Sequence, residues 1–288
     1  MTTWTAADLP SFAGRTVIIT GANSGLGAVA ARELARVGAQ VVLAVRNTGK
    51  GEDAAQQMTG DVEVRQLDLQ NLASVRQFAD GVDKVDVLIN NAGIMAVPYA
   101  VTQDGFESQI GTNHLGHFAL SNLLLPKLTD RVVTVSSIMH RMGVVKLDDL
   151  NWEHRRYRPW LAYGQSKIAN LLFTSELQRR LTAAGSPLRA VAAHPGYSHT
   201  NLQGQSGRRW GDALMSLGNR LATDADFGAR QTLFAASQDL PGDTFVGPRF
   251  QMWGRTQPVG RHPWAKREGT ASGLWELSEQ LTGTKFPL

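Results

Sequence analysis

The stretch Thr20-Gly21-Ala22-Asn23-Ser24-Gly25-Leu26-Gly27 constrains the chain more than any other. It follows Arg15-Thr16-Val17-Ile18-Ile19, a β-branched run after Gly14 that reads as a buried strand. It opens Ala28 to Val37, an alanine-rich stretch in which Leu26, Val29, Ala30, Leu34 and Val37 recur at helical spacing. Glycines spaced G-x-x-x-G-x-G thus sit where a strand turns into a helix. A diphosphate can rest there on free backbone N–H groups and on the positive end of the helix dipole. A side chain at Gly21 or Gly27 would hold the phosphates off or push the helix away from the sheet. Taken alone, the turn leaves a second reading open: a tight strand-to-helix connection with no ligand.

The 288 residues include no cysteine, which rules out disulfides, thiolate nucleophiles and cysteine-ligated zinc or iron–sulfur sites. Hydrophobic content of 42% and charged content of 19% are those of a soluble globular chain. A net charge of +4 is mild for this length and calls for no nucleic-acid partner. No stretch reaches the ~18 apolar residues of a membrane span, and the N-terminus shows no basic-then-apolar signal pattern. The expected location is the cytoplasm.

Along the chain, strand and helix patterns alternate. Ala6 to Leu9 reads as a short helix that Thr5 caps and Pro10 stops. A second strand, Gln40 to Val45, ends in Arg46, about 20 positions past the glycines, where such a unit meets the adenosine ribose. An acid there would accept from a free 2′-hydroxyl. Arg46 instead suits a 2′-phosphate through paired hydrogen bonds, with Lys50 adding to it, and the alternative is a solvated loop charge. Val62 to Leu67 alternates as a third strand, and Asp68 beyond it is placed to accept from an adenine amino group or to cap the helix Leu72 to Gly81. Val85 to Ile89 is a fourth strand, closed by Asn90-Asn91-Ala92-Gly93, small residues and amides that permit close backbone approach and a side-chain tie between strands.

Gly105 to Leu128 is mostly helical in pattern and contains Asn113, a poor helix former in mid-helix. It also carries His114 and His117, which have metal-ligand spacing but no third ligand nearby and read as packing and interface residues. A fifth strand, Arg131 to Val135, ends in Ser136-Ser137, and a sixth around Val191 to Ala193 ends in His194-Pro195-Gly196. Between them lies a helix, Leu161 to Leu181. Residues 200–222 read as a flap over the site, followed by a helix Asp226 to Ser237 and a seventh strand, Thr244 to Val246. Ser272 is placed to cap a last helix, with Gly283 past its end. With no repeats and no linker, residues 1–288 read as a single α/β domain around one doubly wound sheet with helices on both faces.

Tyr163 and Lys167 are four apart in the helix Leu161 to Leu181 and share a face. An ammonium beside a phenol favours the phenolate and lowers a pKa that is otherwise near ~10. The pair then suits general acid/base work at an alcohol or carbonyl oxygen, and Ser137 at a strand end can hydrogen-bond the same oxygen. No G-x-S-x-G, H-E-x-x-H or Walker loop is present, so hydrolase, zincin and triphosphatase readings lack support.

Together, the glycine turn, the Asn90 to Gly93 segment, Ser137 and Tyr163-x-x-x-Lys167 resemble the short-chain dehydrogenase/reductase family over Gly14 to about Gly247. The resemblance implies a Rossmann-type, mostly parallel seven-stranded sheet of order 3-2-1-4-5-6-7. It implies a catalytic set of Asn113, Ser137, Tyr163 and Lys167. Tyr163 would exchange the substrate proton, Lys167 would hold the nicotinamide ribose and depress the tyrosine pKa, Ser137 would orient the carbonyl and Asn113 would support a water relay to the lysine. Ser136 is the competing serine; the family pattern uses the second of such a pair. NADP(H) would lie along Gly21, Asn23, Ser24, Gly25, Leu26, Gly27, Arg46, Asp68, Leu69, Asn91, Ala92, Gly93, Tyr163, Lys167, Pro195, Gly196 and Thr200. No metal is implied.

Asn90 to Tyr99, Asp104 to Glu107, Asn113 to Phe118 and Arg46 with Lys50-Gly51-Glu52 look like the retinol-dehydrogenase-like branch, which includes protochlorophyllide-reductase relatives. Ser137 and Tyr163 are 26 apart, wider than usual, so the insertion His140 to Trp160 would line the substrate entrance. Its run of bases and aromatics, Trp152 to Trp160, reads as the rim of that cleft or an interface, against the alternative of nucleic-acid stacking. The implied activity is hydride transfer between NADP(H) and the carbonyl or alcohol carbon of a small apolar substrate. The alternatives are an NAD-dependent enzyme of the same family and a non-catalytic NADP-sensing protein. A homodimer or homotetramer is the implied assembly.

Overall fold

The computed structural model describes residues 3–196 and 225–288. Six parallel strands make up most of the sheet: β1 (Thr16–Thr20), β2 (Gln40–Val45), β3 (Asp61–Gln66), β4 (Val85–Asn90), β5 (Leu128–Val135) and β6 (Arg189–Ala193); all but the alternating β3, which has no buried residue, are mostly buried. They are joined by β7 (Phe245–Pro248) and β8 (Thr256–Pro258) in one sheet of order β3-β2-β1-β4-β5-β6-β7-β8. Pairing is parallel throughout except for β7 with β8, which is antiparallel. The order reverses between β1 and β4, and that switch point is where an open parallel sheet leaves a crevice at its strand ends. The expected seven strands therefore become eight. The extra one is three residues long and ends at Pro258, too short to show any alternation in sequence.

Helices cover both faces as expected: α1 (Gly25–Arg36), α2 (Thr48–Ala55), α3 (Leu72–Asp80), α4 (Ser108–Ile110), α5 (Gly116–Leu124), α6 (Pro159–Ala183), α7 (Ala225–Ser237) and α8 (Glu268–Thr282). The sheet separates two cores. On one face α3, α5, α6 and α8 pack around Phe118, Phe173 and Trp275, with the Phe173 and Trp275 rings stacked at 5.8 Å and Phe118 edge-on to Trp275 at 4.9 Å. On the other, α1 and α7 lie close to the sheet because their inward positions are small, Ala30, Ala31, Ala35, Ala229, Ala235 and Ala236, with Leu34, Leu233 and Phe12 filling the gaps. No helix among the described residues is long and apolar enough to cross a membrane.

Two expectations about helices change. The pattern from Gly105 to Leu128 does not run as one α-helix: between α4 and α5, Gly111–Leu115 forms a π turn, with the Gly116 N–H bonded to the Gly111 carbonyl. Asn113 sits inside it, so the poor helix former occupies a turn that is not α-helical, and Leu125–Lys127 closes the stretch as a 3-10 turn. The last helix starts at Glu268, four residues before Ser272, whose hydroxyl bonds back to the Glu268 carbonyl at 3.1 Å instead of capping anything. Gly283 ends it in the left-handed conformation, φ 64°, as expected.

Candidate active site

A cleft of about 640 Å³ opens at the strand ends beside the switch point. Its floor is the glycine turn. Gly21 has φ +66°, and a Cβ there would come within 2.9 Å of the Ala92 Cβ. A Cβ on Gly27 would fall 2.5 Å from Asn91 Nδ2 and 2.8 Å from the Gly21 carbonyl oxygen. Both positions are closed to any side chain, as the sequence predicts. Ser24 at the N-cap of α1 makes no side-chain capping bond, so the first-turn N–H groups are left to face the cleft. Asn23, Gly25 and Leu26 also line it.

The adjoining wall comes from β4. Asn91 donates from Nδ2 to the Thr20 carbonyl at 2.8 Å, which is the expected tie between strands. Ala92 and Gly93 follow along the cleft, and Arg46 at the end of β2, Asp68 and Leu69 line it on the far side. Lys50 lies on α2, and its side chain is not part of the cleft wall. Asp68 does not cap α3. Its Oδ1 accepts from the Gln70 N–H at 2.9 Å, while Asn71 Oδ1 takes the N–H groups of Ala73 and Ser74.

The opposite wall carries the titratable side chains. Ser137 caps a 3-10 turn, Ile138–Met142, by accepting the Met139 N–H at 3.2 Å, and it lines the cleft together with Tyr163. Ser136 is turned the other way, donating to the Lys167 carbonyl at 2.7 Å, so the second serine of the pair is the one that meets the tyrosine. Tyr163 and Lys167 share the inner face of α6, with the Lys167 Nζ 5.6 Å from the phenol ring centre and 3.1 Å from the Val135 carbonyl. Burial pushes the Tyr163 phenol up to about 12, and the neighbouring Ser137 hydroxyl acts in the opposite direction. The expected lowering by Lys167 is not what governs it. Burial also acts on the lysine, bringing its ammonium down to about 8, and its Nζ points to a carbonyl, not to the phenol oxygen.

Asn113 lies beneath the cleft and is fully buried. Its Oδ1 accepts the Ile94 N–H, and its Nδ2 donates to the Ile94 carbonyl and to Ser166 Oγ, each at 2.9 Å. It therefore fixes the backbone next to Gly93. Pro195 and Gly196 line the cleft. Thr200 and the segment 200–222 lie outside the described residues.

Comparison with known proteins follows this geometry. A family model described as short chain dehydrogenase matches residues 15–209, more than half of the chain. The chain belongs to the short-chain dehydrogenase family. Retinol dehydrogenase 13 of Homo sapiens is 41% identical over 292 aligned residues, covering 95% of this chain and 86% of that one. Retinol dehydrogenase 12 of Mus musculus is 40% identical, covering 95% and 88%. The crystal structure of a Mycobacterium paratuberculosis protein matches with TM-score 0.91 and 74% identity over 100% of both chains. These place the chain among oxidoreductases, in the retinol-dehydrogenase-like branch. RhlG of Pseudomonas aeruginosa, solved as an NADP active-site complex, shares the fold with TM-score 0.64 at 21% identity, covering 82% of this chain and 94% of that one.

Three features of this short-chain dehydrogenase escaped the sequence reading. Met252, in the turn between β7 and β8, lines the cleft, and its carbonyl lies 2.6 Å from where a Gly196 Cβ would sit. No pattern in the sequence marks that turn. The insertion His140 to Trp160 does not line the entrance as a whole. Trp160 reaches the cleft, but Trp152 and Leu150 are buried, and Tyr157 bonds to the buried carboxylate of Glu107 at 2.9 Å. Burial raises the Glu107 pKa, and the same carboxylate caps α4 through the N–H groups of Gln109 and Ile110. The insertion is thus anchored to the helix leading into Asn113; its bases and aromatics pair among themselves, with Arg155 stacked 3.6 Å over Trp152. His140 is also buried, with its Nδ1 2.6 Å from the Ser137 carbonyl and its Nε2 accepting the His262 N–H at 3.2 Å.

Proposed function

We propose that the chain is an NADP(H)-dependent dehydrogenase/reductase acting on the carbonyl or alcohol of a small apolar substrate, with Tyr163 as its general acid and base. The observation that carries the reading is that Ser137, Tyr163 and Lys167 line the same cleft as the glycine turn, with the Lys167 Nζ 5.6 Å from the phenol ring centre. The cleft fits a dinucleotide. A Cβ would fill the space over Gly21 and Gly27, the first turn of α1 offers uncapped N–H groups, and Arg46 lines the cleft at the end of β2, where Val45 precedes it in place of an acid. Bound there, the dinucleotide supplies or accepts the hydride at the substrate carbon.

The residues of the chain handle the proton. The Ser137 hydroxyl accepts the Met139 N–H, which leaves its own proton to orient a substrate oxygen toward Tyr163. At neutral pH a phenol held near about 12 keeps its proton, so Tyr163 is poised to donate to the oxygen as it becomes an alkoxide. That transfer runs downhill, because an alkoxide is more basic than a phenolate. Lys167, buried and cationic below about pH 8, stabilises the phenolate left behind. In the oxidative direction only the phenolate form of Tyr163 takes the alcohol proton, so that direction is favoured as the pH rises toward the phenol's raised pKa. The apolar lining from Ile138, Met139, Trp160 and Met252 favours an apolar substrate.

Titration with NADPH and with NADH, followed by nicotinamide fluorescence, tests the cofactor half. Tight NADPH and weak NADH binding is expected, and the reverse preference would remove Arg46 as selector. A panel of aldehydes and ketones with the preferred cofactor tests the chemistry. Binding without turnover of any of them, or turnover surviving Tyr163→Phe, would sink the catalytic assignment.

A further inference from the structure

The histidine pair in the helical region lies outside the hydride chemistry, and both rings have partners within the protein. Both rings are buried, but they do different work. His114 is core. It packs edge-on to Phe173 at 6.1 Å, and its Nε2 meets Ser278 Oγ at 3.0 Å. His117 lies between two parts of the cleft instead. Its Nδ1 is 3.1 Å from the Asn113 carbonyl oxygen, and its Nε2 is 2.9 Å from Thr20 Oγ1 at the end of β1.

These partners fix where the proton is. A carbonyl only accepts, so Nδ1 carries the hydrogen; Nε2 then accepts, and the Thr20 hydroxyl donates to it. Thr20 Oγ1 in turn accepts the N–H groups of Asn91 and Ala92, both at 2.9 Å. Both acceptor positions of the hydroxyl are used, and its proton has a second, longer acceptor in the Ile89 carbonyl at 3.4 Å, so the shorter contact with His117 takes it. Ala92 is the residue against which Gly21 is packed, and Asn113 is the residue that holds Ile94 beside Gly93. Burial keeps the His117 ring down near about 4, so it stays uncharged at neutral pH. A leucine or phenylalanine would fill the same volume, but only a ring with a donor and an acceptor on opposite sides serves both elements.

We propose that His117 is a positioning residue whose Nδ1-protonated ring links the carbonyl of Asn113 to the floor of the glycine turn through Thr20, so that one chain of hydrogen bonds sets both cofactor seating and the placement of Asn113. The proposal rests on reading the cleft as a nicotinamide dinucleotide site.

The test uses His117→Phe, Thr20→Val and their double variant in the full chain, with Thr20→Val serving alone if His117→Phe does not fold. Each is read by NADPH dissociation constant without substrate, by kcat and by melting temperature. Each single change is expected to weaken NADPH about tenfold and to lower kcat, because a buried partner is left unpaired. The double variant should be no worse than the worse single one, and Thr20→Ser should recover most of the loss. Additive losses, or a lower melting temperature with NADPH affinity and kcat within twofold of the parent, would overturn the proposal. Nitrogen-15 NMR of histidine-labelled protein supplies a readout independent of the cofactor: the resonances lost in His117→Phe should be those of an Nδ1–H tautomer, and an Nε2–H tautomer would overturn the link. If the parent protein binds neither dinucleotide, the functional reading fails while the NMR result still decides the hydrogen-bond chain.

Discussion

The two walls of the cleft are built in opposite ways. The glycine wall works by excluding side chains: Gly21, Gly27 and Gly93 each have a neighbour within 3.0 Å of where a Cβ would go, and what faces the ligand is backbone. No ionisable group sits on that turn. The wall from β5 and α6 works by side chains, Ser137, Tyr163 and Lys167, and burial has moved the last two away from their ordinary pKa values. A backbone surface is sensitive to added volume and indifferent to pH. A wall of buried side chains is sensitive to the loss of one oxygen and to the proton inventory.

Four changes would break or sharpen that contrast, beginning with the largest. Tyr163→Phe removes one oxygen from the side-chain wall; kcat/KM should fall by about 10²–10⁴-fold with NADPH affinity unchanged, as steady-state rates and fluorescence titration would show. Gly27→Val adds volume to the other wall; the forced shift of Asn91 should cost about 1–3 kcal/mol of stability by denaturant unfolding and weaken NADPH binding, at every pH alike. Arg46→Asp alters a cation bordering the cleft at the end of β2; NADPH affinity should drop about tenfold while NADH affinity holds or rises, because a 2′-phosphate loses a charge-assisted partner. The smallest effect is in pH. Lys167 is cationic below about 8 and neutral above, so carbonyl reduction measured as kcat/KM should be level through neutrality and decline severalfold above that value, as phenolate stabilisation is lost. The decline should vanish in Lys167→Met, and a limb that survives that substitution belongs to another group.

The glycine wall was legible in sequence because its constraints are local. A β-branched run, a turn with glycines at fixed spacing and an alanine-rich helix are neighbours in the chain, and the structure keeps them within three residues of where the pattern puts them, α1 starting at Gly25 and not Ala28. The side-chain wall was legible in part: Tyr163 and Lys167 share a helical face, and Ser137 ends a strand. Their electrostatics were not legible, because burial is a property of the packed molecule, and here it outweighs the neighbouring charge at Tyr163. The π turn around Asn113, the anchoring of Tyr157 to Glu107 and the His140 contact with His262 depend on pairings 50 to 122 residues apart or on a backbone register that no periodicity reports. Capping by Ser272 was misjudged because a serine before an apolar run looks the same at the start of a helix as one turn inside it.

The last strand has a consequence for the molecule in company. An open parallel sheet ends in two rows of unpaired backbone groups, each a template on which another chain can polymerise. Here one end is β3, where Glu63 and Arg65 face each other across 2.6 Å and set charge along the margin. At the other end the sheet reverses direction for three residues and stops at Pro258, which has no N–H to offer, opposite a β7 that itself ends at Pro248. The turn that brings Met252 to the cleft therefore also serves as a terminator, leaving little backbone for a misfolded neighbour to extend.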